Sequence, residues 1–153
     1  MTSFRDQNFT HRFAAMGDEA EAVFEEVHNA AWIRYGLNRP PLRMSSLSPF
    51  VRYTPDYLTS TSFVEVQGVG RDRKLKLKYE KKDALDDWDY QFPVELFVWD
   101  KTMSRFCYLD WPTVQTIFKK SPTDVFPEGK KYKSIDIDSM IGGELWVAKK
   151  SDT

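Results

Sequence analysis

The sequence predicts one α/β domain built around a mixed sheet, and three observations predict it. Segments with helical spacing alternate with short β-branched and aromatic runs, in the order helix, strands, helix, strands, helix, strands. The length of 153 residues suits a single domain with a real core. Hydrophobic residues make up 41% of the chain and aromatic residues 15%, which excludes disorder over most of its length. Residues 1–12 are polar and expected to be flexible, leaving 13–153 as the domain.

The first helix is expected from about Phe13 to Tyr35, because Ala20, Val23, Phe24, Val27, Ala30 and Ala31 recur at helical spacing and Gly36 offers a stop. Residues 37–50, rich in proline and serine, read as an irregular connection. Val51-Arg52-Tyr53 is expected to be a short strand, Tyr57-Leu58 the start of the next turn or strand, and Thr59–Ser62 a polar turn. Phe63–Gln67 is the clearest strand. Lys74-Leu75-Lys76-Leu77-Lys78-Tyr79 alternates as a strand does, yet Leu77, Ala84, Leu85 and Trp88 share one helical face. Helix propensity favours a helix across this stretch, with a turn at Asp86–Tyr90. Val94–Trp99 reads as a buried strand, Asp100–Ser104 as a turn and Arg105–Leu109 as an antiparallel return. Asp110 is placed to cap a helix carrying Pro112 in its first turn and running to about Lys120. Pro122–Gly129 is expected to be loop, with closing strands at Tyr132–Ile137 and Glu144–Ala148.

Charge and cysteine content narrow the function. The net charge of −1 argues against a generally basic, histone-like protein but allows local nucleic-acid binding, because the charges are segregated. A basic run of Arg71, Arg73, Lys74, Lys76, Lys78, Lys81 and Lys82 is followed by the aspartates of Asp83–Asp89. Cys107 is the single cysteine, so no intramolecular disulfide forms, and only His11 and His28 are available to complete a zinc site. No segment approaches the roughly 20 apolar residues of a membrane span, so a reducing, cytoplasmic location and no membrane partner are expected. No Walker loop, dinucleotide-binding glycine motif or Ser-His-Asp arrangement is present; Gly68-Val69-Gly70 lacks the rest of a phosphate loop.

Two carboxylates stand out. Asp56 follows Thr54-Pro55, and Glu65 lies nine residues later inside Phe63-Val64-Glu65-Val66. A glutamate bracketed by apolar strand residues is costly unless it binds something. Two such acids make a hard oxygen site suited to Mg²⁺ or Mn²⁺. The basic run that follows is expected to contact DNA phosphates through Arg71, Arg73, Lys74, Lys76, Lys78, Lys81 and Lys82, with Arg34, Arg39, Arg43 and Arg52 as candidates to extend the surface. The tryptophans and phenylalanines are expected in the core and not as base-stacking platforms, with Trp88 and Trp111, next to polar segments, as the exceptions.

Tyr53-Thr54-Pro55-Asp56-Tyr57-Leu58, followed by Phe63-Val64-Glu65-Val66-Gln67-Gly68, resembles the core motif of the PD-(D/E)XK nuclease superfamily. Within it the chain looks like phage endonuclease I and related Holliday-junction resolvases. Gly17-Asp18-Glu19-Ala20-Glu21-Ala22-Val23-Phe24 is similar to the first helix of that family, whose glutamate faces the active site and maps to Glu21, with Glu19 as the alternative. The resemblance covers about residues 13–100 and implies a restriction-endonuclease-like mixed sheet flanked by helices. It implies a metal-dependent DNA endonuclease acting on branched DNA, a homodimer, and a setting in a phage-infected bacterial cell.

The resemblance also assigns roles. Asp56, Glu65 and the backbone carbonyl of Val66 would hold Mg²⁺ or Mn²⁺, with Glu21 bound through water or supporting a second ion. The family's lysine two residues after the second acid is Gln67 here. Glutamine cannot act as a base but can hydrogen-bond water or a phosphate oxygen. Either Lys74, Lys76 or Lys78, Lys74 first, is then expected to supply the missing charge, or the metal alone generates the hydroxide by lowering the pKa of its water. Gln67 also favours a different class of function, a catalytically degenerate DNA-binding or phage interaction protein on the same fold.

Overall fold

The computed structural model describes residues 4–36 and 47–150, with side chains from Met16 onward. Arg39 and Arg43 lie outside the described residues, as does most of the connection at 37–50. Helix α1 spans Phe4–Val27, so it begins inside the segment expected to be flexible and ends well before Tyr35. The chain then forms strand β1, Trp32–Arg34, where aromatic and β-branched residues favour an extended backbone. Val51-Arg52-Tyr53 is not a strand. Pro49 starts a short helix α2, Pro49–Arg52, because its fixed φ suits a first helical position.

Strands β2 (Tyr57–Thr59), β3 (Phe63–Val69), β5 (Val94–Asp100), β6 (Arg105–Asp110) and β9 (Val147–Ala148) join β1 in a six-stranded mixed sheet. Its order is β1-β2-β3-β5-β6-β9, and only β3 and β5 run parallel, in register from Phe63↔Val94 to Val69↔Asp100. The link between them holds strand β4 (Lys74–Lys78) and helix α3 (Tyr79–Gln91). The helix expected over the lysine-leucine stretch is therefore corrected in its first half. Leu75 and Leu77 are buried at 2% and 0% exposure, and β4 pairs antiparallel with β8 (Lys131–Asp136) over five residues. The two-residue period and this partner outweigh helix propensity. The turn expected at Asp86–Tyr90 is part of α3, which stops at Phe92-Pro93.

Helix α4, Trp111–Lys120, starts where the sequence places it, with Asp110 accepting from the Thr113 N–H at 2.9 Å and proline in the first turn. The expected loop at Pro122–Gly129 contains strand β7, Thr123–Val125, which pairs with β8 to complete a small antiparallel sheet, β4-β8-β7. Helix α5 spans Ile137–Met140, and a 3-10 turn at Gly143–Leu145 replaces the first half of the last expected strand.

The sheet's alternation sends its two faces to two cores. On one face Val64, Phe97 and Trp99 pack with Tyr57 against Ala20, Val23 and Phe24 of α1. On the other, Phe63, Val69, Leu96 and Val98 pack with Leu85, Trp111, Val114 and the small sheet's Leu75, Leu77 and Ile135. Gly68 lets α1 cross β3 closely, since a Cβ there would stand 2.9 Å from Met16 Cγ. The result is an α/β protein with helices packed on a mixed six-stranded sheet and on a small antiparallel one. Among the described residues, no helix is long and apolar enough to cross a membrane.

Candidate functional site

The β2–β3 ladder stops at Tyr57↔Val64, leaving the next N–H of β3 on that side without a strand partner. Asp56, the residue before β2, fills the gap: its Oδ2 accepts from the Val66 N–H at 2.8 Å. The Asp56 carbonyl in turn accepts from the Tyr35 and Gly36 N–H groups at 2.8 and 3.3 Å, anchoring it to the end of β1. Asp56 is thus fixed by backbone on both sides at the end of a broken ladder.

Glu65 lies one position before Val66 on β3, on the face toward α3, and is only 5% exposed. Its Oε2 meets Lys81 Nζ at 2.6 Å, while its Oε1 is buried with no hydrogen-bond partner. Lys81 comes from the first turn of α3, immediately after β4. Gln67, two residues beyond Glu65 on the same face, donates from Nε2 to the Lys76 carbonyl at 3.3 Å, and its Oε1 is also buried and unpartnered. Two unsatisfied buried oxygens on side chains two residues apart along β3 are costly unless a cation, water or polar ligand reaches them.

The electrostatics follow from this crowding. Burial, then the negative charge of Glu65, holds the Asp56 carboxyl well above the usual carboxylate range. Lys81 and the Val66 N–H pull the other way without reversing the shift, and Glu21 adds to it. Burial pulls Lys81 down, but the charges of Glu65 and Asp56 more than offset that, so it stays protonated. Tyr53 and Glu80 form the adjoining wall. The Tyr53 hydroxyl and Lys130 Nζ each donate to Glu80 Oε1 at 2.7 Å, and Arg52 stands 3.7 Å away. That wall ties α2, α3 and the β7–β8 hairpin together around the site.

Several expected residues are placed elsewhere. Glu21 approaches from α1, on the opposite face of the sheet, and pairs with Arg34 at 3.5 Å. Glu19 turns to Lys101 at 3.3 Å. Among the described residues, no group of three or more His, Cys, Asp and Glu is gathered closely enough to hold a metal ion, so Glu21 does not complete a three-acid cluster. Lys74 pairs with Asp136 at 3.3 Å on the small sheet, not with the carboxylates. Lys82 pairs with Asp86 at 2.7 Å. Arg73 is held by Asp100 and by Asp138, the latter at 2.7 Å. Arg71, Lys76 and Lys78 have no carboxylate partner among the described residues.

Lys81 at Glu65 is the feature sequence reasoning missed, since it placed Lys81 only on DNA phosphates. The available signal was the Lys-Leu-Lys-Leu-Lys alternation. Reading it as a strand starts the helix at Tyr79 and turns Lys81 back toward β3. Cys107 is buried, and burial pushes its thiol up to about 12, which marks a core residue. Trp111 is fully buried, with Nε1 donating to Asp86 at 2.7 Å. Compared with known proteins, the chain matches no family model and no curated protein sequence at a significant level.

Proposed function

We propose that the protein is a metal-dependent DNA endonuclease whose site is Asp56, Glu65 and Lys81. The observation that carries this reading is the Lys81 ammonium, 2.6 Å from Glu65 on the strand face where Gln67 leaves the motif without a lysine. Further support comes from the frame. Asp56 precedes one strand, Glu65 lies in its antiparallel neighbour, and a crossover through α3 returns the chain parallel to β3. That arrangement agrees with a restriction-endonuclease-like fold of the PD-(D/E)XK type.

The residues present fit a hard divalent cation, Mg²⁺ or Mn²⁺. Glu65 offers an unpartnered buried oxygen, Asp56 a second carboxylate and Val66 a backbone carbonyl, while Glu21 acts on Asp56 only through its charge. Such an ion would activate a water and stabilise the charge gathering on phosphorus. The chain's own groups do the rest. Protonated Lys81 donates to a non-bridging phosphate oxygen as its negative charge grows. Gln67 Oε1 accepts a hydrogen from the attacking water and orients it. The Val66 N–H holds the Asp56 carboxylate in place. Action on branched DNA, a homodimer and a cytoplasmic setting belong to the same reading through the likeness to junction resolvases; a two-fold partner would let two sites cut two strands.

A second reading, a DNA-binding protein on this fold with catalysis lost, is favoured by one observation: Lys81 already neutralises Glu65, and no third acid among the described residues joins the pair. Cleavage of labelled four-way junction, splayed-arm and linear duplex DNA in Mg²⁺, Mn²⁺ or EDTA separates the two. The nuclease reading expects metal-dependent cutting, reduced by about a hundredfold or more in Glu65→Ala and in Lys81→Met. DNA binding that is indifferent to EDTA, with no cutting in either metal, would sink it in favour of the second.

A further inference from the structure

Beside the carboxylates stands an aromatic group that phosphodiester hydrolysis alone does not use. Phe50 of α2 stacks flat on Trp88 of α3, centroids 4.3 Å apart and planes within 3°. Tyr35, just after β1, meets Trp88 edge-on at 6.0 Å and lies 5.3 Å from Phe63. Trp88 is the fixed member: its Nε1 donates to the Phe50 carbonyl at 2.9 Å, and Phe63 packs against its ring at 5.3 Å. Rings of this size gain most from burial, yet Phe50 and Tyr35 are each 39% exposed.

The position of these rings relative to the site is set by the elements. Phe63 precedes Glu65 by two residues on one strand face, a separation of roughly 7 Å. Trp88 follows Lys81 by seven residues on α3, two turns or about 10 Å. The Tyr35 N–H donates to the Asp56 carbonyl at 2.8 Å, so the ring and the carboxylate hang from one backbone contact. Both signs of charge lie beside the rings: Asp87 and Asp89 flank Trp88 in the chain, and Arg52 is the cation. Arg52, two residues after Phe50, has a buried Nε with no hydrogen-bond partner among the described residues, and its Nη1 is 3.7 Å from Glu80.

We infer that Tyr35 and Phe50 form a stacking shelf for an unpaired nucleobase next to the phosphate held at Asp56, Glu65 and Lys81. The inference rests on the nuclease reading and narrows its substrate to DNA carrying an unpaired base beside the scissile bond. Every base has a π-face, so the shelf accepts any sequence, whereas a paired duplex presents no face without breaking a pair. Arg52 takes a phosphate of the same strand through its planar fork.

The test is binding in EDTA, where no turnover occurs. Three DNAs are compared: a duplex with a one-nucleotide bulge of 2-aminopurine, the same duplex with an abasic residue at the bulge, and a fully paired duplex. The parent is expected to bind the 2-aminopurine bulge about tenfold or more tightly than the abasic one, and to quench its fluorescence. Phe50→Leu keeps an apolar side chain on Trp88, and Tyr35→Ala leaves the backbone contact to Asp56. Both are expected to lose that preference and the quench while binding paired duplex as the parent does, with thermal unfolding confirming the fold. Equal affinity of the parent for the base-bearing and abasic bulges would overturn the shelf and leave the nuclease reading standing. A preference that survives both substitutions would do the same. Failure of the parent to bind any of the three, both in EDTA and with Ca²⁺ in place of Mg²⁺, would overturn the nuclease reading and the shelf with it.

Discussion

Asp56 shows what the site costs the fold. Its carboxyl is held above the usual range by burial and by Glu65, so the folded state binds its proton more readily than the unfolded chain does. Stability therefore falls as pH rises from the unfolded value of about 3.9 through the folded one. An asparagine side chain at this position has no charge to bury and still presents an oxygen to the Val66 N–H. Asp56→Asn is expected to raise the thermal midpoint at pH 7 and to match the parent below about pH 4, where both are neutral. Melting curves from pH 3 to 8 check this; a variant less stable than the parent at every pH would show that burial of this charge is not a burden. The unusual placement of Asp56 and Glu65 is legible in the sequence, because a proline-led acid and an acid inside an apolar strand both stand out. The Lys81–Glu65 pair is not, because one lysine among seven basic residues is distinguished only by which residue it faces.

At the scale of elements, local period is a better guide than propensity. Phe63–Val69, Val94–Asp100 and the Asp110-capped helix are readable because pattern and local chemistry agree. Residues 74–78 mislead because Lys and Leu favour helix, while the strand that pairs with them lies more than fifty residues away in sequence. The same distance hides what Arg73 does. It occupies the left-handed region, with φ of 60°, in the turn between β3 and β4. Its guanidinium is clamped by Asp100 at the end of β5 and Asp138 of α5, and Arg105 of β6 joins the same two acids. Asp100 is fully buried; burial pushes its carboxyl up, but Arg73 and Arg105 outweigh that and hold it below the usual range. A depressed folded value contributes stability that is present above the unfolded value of about 3.9 and lost as pH falls through the folded one. Asp100→Asn keeps the acceptor for the Met103 N–H but leaves two guanidiniums short of charge. It is expected to cost about 3–5 kcal/mol at pH 7, with the gap narrowing at pH 3. Urea unfolding at the two pH values measures both, and a gap that does not narrow would assign the loss to packing instead of charge.

Across the whole molecule, on the proposed DNA-binding reading, the distribution of charge sets how strongly DNA can be held. The net charge of −1 gives little long-range attraction, so binding depends on local phosphate contacts. The sequence offers seven cations from Arg71 to Lys82, but Arg73, Lys74, Lys81 and Lys82 are engaged by Asp100 and Asp138, Asp136, Glu65 and Asp86. In EDTA no metal competes for Glu65, so Lys81, like the other paired cations, gains little from a phosphate. Arg71, Lys76 and Lys78 are left, two of them on one side of β4 because strand residues alternate. Each phosphate neutralised on duplex DNA changes the slope of log K against log salt by about −0.9. Three contacts give a slope of about −3, where all seven cations would give about −6. Fluorescence anisotropy of a labelled duplex in EDTA, from low to physiological salt, measures that slope. With Lys76→Ala and Lys78→Ala together, it is expected to fall by about two units to near −1. A parent slope near −6 would mean that the ion pairs open on DNA and that the whole basic run, strand and helix alike, lies against the phosphates.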